Sequence, residues 1–210
     1  MSASKTRSKP GPEGSIPVKT LQPLILTARI TEGDKAPFDL LRKTHFPPDR
    51  NFLDAHLTMF HRLPGEYTER IVEHLKRVAE AGSSIKAEVS GVRHLGAGVA
   101  FTIDSAALQD VRARLKEVFL PWLGPQDMQK WQPHITIQNK VSKDRADRLY
   151  QELRATFQPH TIEITGVDLW KYLDGPWQHE TSAIFAEDRD AVVSGRDQSE
   201  RAGVQSHIKE

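Results

Sequence analysis

Two short stretches of the chain carry the same potential chemistry. His56-Leu57-Thr58-Met59 and His134-Ile135-Thr136-Ile137 both read His, apolar, Thr, apolar. In a β-strand, side chains alternate between faces with a period of two, so His and Thr of each stretch share one face and the apolar pair anchors the other. Two imidazoles facing one another suit acid–base work: a neutral ring takes a proton from a nucleophile and a protonated ring gives one to a leaving group. Two hydroxyls beside them can donate to oxygens on which charge develops. A tetrahedral phosphorus with two non-bridging oxygens matches that set. Acyl transfer would want a nucleophile and a separate oxyanion hole, and no G-x-S-x-G segment is present.

The chain has nine histidines, so a single His-x-Thr is weak on its own. His179-Glu180-Thr181 is a third match without the apolar residue, and reads as chance or as a strand start. What separates the other two is their setting. Leu24 to Ile30 reads as a strand, and Phe38 begins a helix that must stop before Pro47-Pro48. Leu53 to Phe60 is the first motif strand, Tyr67 to Ala81 an amphipathic helix stopped by Gly82, and Ile85 to Ser90 a strand, with Val92 to Leu95 near it. The order then recurs: strand Val99 to Ile103, helix Ser105 to Phe119 with Leu108, Val111, Leu115 and Val118 as its apolar set, motif strand His134 to Gln138, helix Ser142 to Phe157 with Ser142 as N-cap, strand Thr161 to Ile164. Strands at Val167 to Tyr172 and Thr181 to Ala186 follow. Corresponding parts are offset by roughly 74 to 78 positions. The spacing predicts two related α+β halves, each giving one His-x-Thr face to a common cleft. One shared sheet or two facing sheets would both satisfy it.

Composition bounds the rest. The 210 residues suit one domain or two small lobes, with 38% hydrophobic and 27% charged residues. A net charge of +1 argues against strong sequence-independent nucleic-acid binding but leaves room for a local phosphate site. With no cysteine, thiolate nucleophiles and zinc–thiolate sites are ruled out. No apolar run reaches the roughly 20 residues of a membrane span, and no apolar stretch backs the basic N-terminus as in a secretory signal. A soluble cytoplasmic monomer without a membrane partner is the expectation. Residues 1–20 and 187–210 are polar and are expected to be disordered tails around a domain at 21–186.

The paired motifs resemble those of the 2H phosphoesterase superfamily, and within it the bacterial 2'-5' RNA ligase / RNA 2',3'-cyclic phosphodiesterase group. The resemblance covers roughly Leu21 to Ala186. It implies an α+β fold of two pseudo-twofold-related lobes, each an antiparallel sheet with helices on its outer face, meeting across a central cleft. It also implies His56 as general acid, His134 as general base, and Thr58 and Thr136 as phosphate-holding groups. The implied reaction is hydrolysis of a 2',3'-cyclic phosphate, on an RNA end or a small nucleotide, to a 2'-phosphate, with no metal and no cofactor. Formation of a 2'-5' linkage is the related activity. After the second motif stand Gln138, Asn139 and Lys140, where RNA-active members often carry arginine.

Among the aromatics, Phe60 is expected on the face of His56 and Thr58 and so against the substrate; Trp131, Trp170 and Tyr172 are expected mainly in packing. Gly96-Ala97-Gly98 reads as a hairpin turn, and His45 and His61 as loop residues. Asp54 reads first as a surface carboxylate at a strand start, and otherwise could orient His56 or join a metal site. A binding module that holds a phosphate or RNA end without turnover, and a metal-dependent hydrolase built on Asp54 and the histidines, are the competing readings.

Overall fold

The computed structural model describes residues 22–186, and the two tails expected to be disordered lie outside them. The order is β1 (Leu24–Ile30), α1 (Glu32–His45), β2 (Leu57–Leu63), α2 (Thr68–Glu80), β3 (Ile85–His94), β4 (Val99–Asp104), α3 (Ala106–Phe119), α4 (Pro125–Met128), β5 (His134–Gln138), α5 (Lys143–Thr156), β6 (His160–Tyr172) and β7 (Trp177–Ile184). The doubled order read from the sequence is there, as β1-α1-β2-α2-β3 and β4-α3-β5-α5-β6. A short α4 is inserted and β7 appended. Several boundaries differ. The first motif strand runs Leu57–Leu63 rather than Leu53 to Phe60, because side chains of α1, Arg42 and Asp39, take the Leu53 carbonyl and the Ala55 N–H, and the last strand runs Trp177–Ile184 rather than Thr181 to Ala186. The first helix starts at Glu32 because Thr31 caps it, accepting from the Asp34 N–H. The segments foreseen around Ser90 and around Gly166 as breaks are continuous strand in β3 and β6.

Every strand pair is antiparallel, in the order β1-β2-β5-β4-β3-β6-β7, and β1 also pairs with β6. The connectivity of six strands therefore closes on itself, with β7 outside the ring. It also obeys the repeat. β2 and β1 are joined by β6, the last strand of the second unit; β5 and β4 are joined by β3, the last strand of the first. Each half thus takes its third strand from the other.

The core lies between the sheet and its helices. Ile71, Leu75 and Ala79 of α2 and Leu108, Val111, Leu115 and Phe119 of α3 are buried at helical spacing. Val118, expected among them, is exposed, and Phe119 takes the inward position.

Both motif strands are kinked in the same way. Thr27 faces Thr58 but Leu26 faces Phe60; Ala100 faces Thr136 but Val99 faces Gln138. One extra residue is inserted after each threonine, a β-bulge that reverses the alternation beyond it. Consecutive residues Met59 and Phe60, and Ile137 and Gln138, are consequently all buried. At the second bulge the neighbouring hairpin comes so close that a Cβ on Gly98 would lie 2.0 Å from the Gln138 carbonyl oxygen, so only glycine fits.

Candidate active site

The two motif strands meet through one bridge, Leu57 opposite Ile135. Both are fully buried, so His56, Thr58, His134 and Thr136 stand on the opposite face of the pair, all half-buried. The antiparallel register sets His56 across from Thr136 and Thr58 across from His134. The imidazoles occupy one diagonal of this rectangle and the hydroxyls the other; a diagonal in such a pair spans roughly 7–8 Å.

Each imidazole is held alike. His56 Nδ1–H donates to the Asp54 carbonyl at 2.8 Å, and His134 Nδ1–H to the Gln132 carbonyl at 2.8 Å. A carbonyl only accepts, so Nδ1 carries the proton in both rings and Nε2 is left for proton exchange. Asp54 thus orients His56 through its backbone; its carboxylate is exposed and faces Lys35 at 4.0 Å. His160 repeats the contact with Gln158 at 3.0 Å, but it packs on Phe38 and Phe157, so the contact alone does not mark a site.

Buried arginines, absent from the sequence expectations, brace both strands. Arg42 of α1 donates to the Leu53 carbonyl at 2.9 Å, to Asn51 at 3.0 Å and to the Thr136 carbonyl at 2.9 Å. Arg112 of α3 donates to the Met59 carbonyl at 2.9 Å and the Asp127 carbonyl at 3.0 Å, with its guanidinium over the rings of Phe60 and Trp131. Each unit's first helix therefore grips the other unit's motif strand. These charges, with burial, set the protonation of the histidines. Burial first, then the positive charge of Arg42 and the electrostatic influence of the His134 and His61 rings, bring His56 down to about 4, against the raising effect of the Asp54 carbonyl. His134 is lowered by burial, Arg93 and His61. Arg42 itself falls to about 10 through burial and remains charged at neutral pH.

Phe60 is a correction. The bulge at Met59 turns it into the core, where it is fully buried against Phe119, so it cannot meet a substrate. The same bulge brings His61, expected in a loop, onto β2 and the side of Thr58. His61 Nδ1–H donates to the buried carboxylate of Asp127 at 3.0 Å. Hydropathy periodicity carries no mark of a bulge, and both differences follow from that.

Two cavities flank the motif face. One, of about 300 Å³, adjoins His56 and is walled by Trp170, Trp177 and Phe52. The Trp177 ring lies 4.6 Å from that of His56, and Trp170 donates to Thr27 at 3.0 Å. Its cations are matched: Arg29 pairs with Asp168 at 3.0 Å and Lys35 with Glu32 at 3.5 Å. The other, also about 300 Å³, adjoins Thr58 and His134 and contains His61, Arg93 and Lys130. Thr136 lines neither. Trp131 donates to the Thr58 carbonyl at 3.0 Å and supports the second cavity. Tyr172 lies apart, beside Asn139 and Lys140. Gly96 to Gly98 form the β3–β4 hairpin turn, closed by Leu95 N–H donating to the Gly98 carbonyl. His179 sits on β7, bonded to Ser182 at 2.9 Å, with its ring 5.1 Å from that of Trp170 behind the cavity beside His56. Among the described residues no group of three or more His, Asp or Glu side chains is placed to hold a metal ion, and no helix is long and apolar enough to cross a membrane.

Known proteins resemble this chain in sequence profile and in fold. The sequence profile of the 2'-5' RNA ligase superfamily matches residues 31–176. No protein of curated function matches the chain. Among solved structures, Escherichia coli LigT complexed with 3'-AMP is similar with a TM-score of 0.55 at 14% identity, over 79% of this chain and 98% of that one. TT0787 of Thermus thermophilus is similar at 0.54 and 14%, over 78% and 97%. E. coli LigT complexed with phosphate is similar at 0.53 and 14%, over 80% and 99%. At such identities these likenesses speak to the fold.

Proposed function

Since this chain belongs to the 2'-5' RNA ligase superfamily, we propose that it is a phosphodiesterase that opens a 2',3'-cyclic phosphate to a 2'-phosphate using its own histidines, without a metal. The observation that carries this reading is the register at Leu57 and Ile135, which sets two imidazoles and two hydroxyls crosswise on one face. Neighbours of the same fold crystallised with 3'-AMP and with phosphate support a nucleotide-sized phosphoester as substrate.

In the reaction, His134 Nε2 takes a proton from water as its oxygen bonds to phosphorus. The bond from phosphorus to O3' breaks, and His56 gives O3' its proton. Thr58 and Thr136 donate to the non-bridging oxygens as their charge grows. His56 must be protonated for this, yet burial and the nearby Arg42 guanidinium keep it neutral in the empty site. The anionic phosphodiester supplies the missing negative charge, so substrate and proton arrive together. An RNA 5'-hydroxyl in place of water would give a 2'-5' linkage by the same transfers.

The test is a panel of nucleoside and oligonucleotide 2',3'-cyclic phosphates, with the product position read by phosphorus NMR. A 2'-phosphate is expected, with activity undiminished by EDTA. His56→Ala and His134→Ala should each lower kcat by roughly 10²- to 10⁴-fold. Hydrolysis by the double variant at the wild-type rate would falsify the assignment, and tight binding of products without turnover would leave a binding module instead.

A further inference from the structure

The cavities on the two sides of the motif face differ in a way the reaction alone does not require. Beside His56 the walls are aromatic, and carboxylates answer the cations. Beside His134, among the described residues, the lining has no carboxylate, while Arg93, Arg112 and Lys130 all contribute to it. The nearest acid, Asp127, is 2% exposed behind His61, and its oxygens are occupied by the His61 N–H, the His61 ring N–H and the Arg62 N–H. Although burial pushes the Asp127 carboxyl up, those donors win and hold it below the ordinary carboxylate range, so it stays an anion whose acceptors are already used. It fixes the His61 ring with Nε2 away from the carboxylate. On a chain whose net charge is +1, Arg93 and Lys130 make this a concentrated patch of positive charge with no carboxylate on its lining, while Arg112 beneath them is answered by Asp127.

Resting on the function proposed above, we infer that this cavity is a second phosphate subsite: His61, Arg93 and Lys130 hold a phosphate one backbone step from the cyclic phosphate. The preferred substrate is then a cyclic phosphate whose nucleoside also bears a 5'-phosphate, as the terminal residue of a strand does, and not a bare nucleoside cyclic phosphate. Arg93 is half-buried on β3 and supplies a directional fork; Lys130 is exposed and supplies charge; His61 presents the Nε2 edge of a ring whose orientation is fixed. The second cavity of about 300 Å³ has room for a phosphate and its ester carbon.

The experiment compares adenosine 2',3'-cyclic phosphate with its 5'-phosphorylated form, as a ratio of kcat/KM. The wild type should favour the 5'-phosphate roughly ten- to a hundred-fold, the scale of charge-assisted hydrogen bonds. In Arg93→Gln and His61→Gln the ratio should fall close to one. Lys130→Gln, at an exposed position that folding does not use, should lower it several-fold and keeps the test open should the others fold poorly. Binding of adenosine 2'-phosphate and adenosine 2',5'-bisphosphate, measured by calorimetry, reads the subsite separately from turnover. Equal binding of the two overturns the subsite. A preference for the bisphosphate that Arg93→Gln removes, with neither cyclic phosphate hydrolysed, supports the subsite and overturns the reaction. A hydrolytic preference that survives all three substitutions overturns the assignment to these residues.

Discussion

His56 shows how one environment acts on both stability and chemistry. Burial, with the Arg42 guanidinium and the neighbouring His134 and His61 rings, brings it from an ordinary 6.5 to about 4, so the folded state prefers the neutral ring. The sign follows. Its contribution is complete above pH 6.5 and is lost as pH falls toward 4, because the unfolded chain binds the proton first. A difference of this size at one group corresponds to about 3 kcal/mol. Urea unfolding at about pH 7.5 and about pH 4.5 should show the wild type losing roughly 2 kcal/mol more than His56→Gln over that interval. Equal losses would mean that His56 is not held neutral. At this scale the sequence was informative about the four motif residues, because type and spacing are local properties. It was silent about Arg42 and Arg112, which reach the site from helices and hold backbone carbonyls of the opposite unit. Nothing in their own neighbourhoods marks them.

Between residues and molecule stand the two bulges. Strand alternation correctly directs His56 and Thr58, and His134 and Thr136, to one face. It fails one step later, since a bulge inserted at Met59 reverses the direction of Phe60. Phe60 is therefore a core side chain packed on Phe119 and under Arg112. Phe60→Ala should cost about 3–5 kcal/mol of stability, with KM for the cyclic phosphate within a few-fold of wild type when measured on folded protein. A large rise in KM with little loss of stability would return Phe60 to the site. Helix starts and stops were legible where a cap or a glycine marks them, as at Ser105 and Ser142. The start of α1 was not, because Pro37 inside it reads as a breaker, while Thr31 and the contact of Asp34 with the Glu163 N–H settle the matter from outside the local sequence.

For the whole molecule, the repeated order of elements was readable, but the exchange of third strands was not, since pairing between β1 and β6 or β3 and β4 is decided by residues far apart in the chain or by which neighbour wins. That exchange makes the halves interdependent. A chain opened between Ala97 and Gly98, in the β3–β4 hairpin, should give two fragments that are each unfolded alone and recover circular dichroism and phosphodiesterase activity on mixing. Independent folding of residues 22–97 would contradict the mutual pairing. The long β6, which pairs with β1, β3 and β7, is the strand that no half can lack.

The ring is also uneven around its circumference. β3 and β6 share five residue pairs, while β2 and β5 share one. A closed structure yields first at its weakest joint, and here that joint runs through the rectangle of His56, Thr58, His134 and Thr136. The β3–β6 side acts as a stiff spine and the β2–β5 side as a compliant mouth. A phosphate that bridges the mouth stitches the ring where its own hydrogen bonds are fewest, so the amides of Leu57 and Ile135 are the ones whose exchange with solvent should slow most when the site is filled.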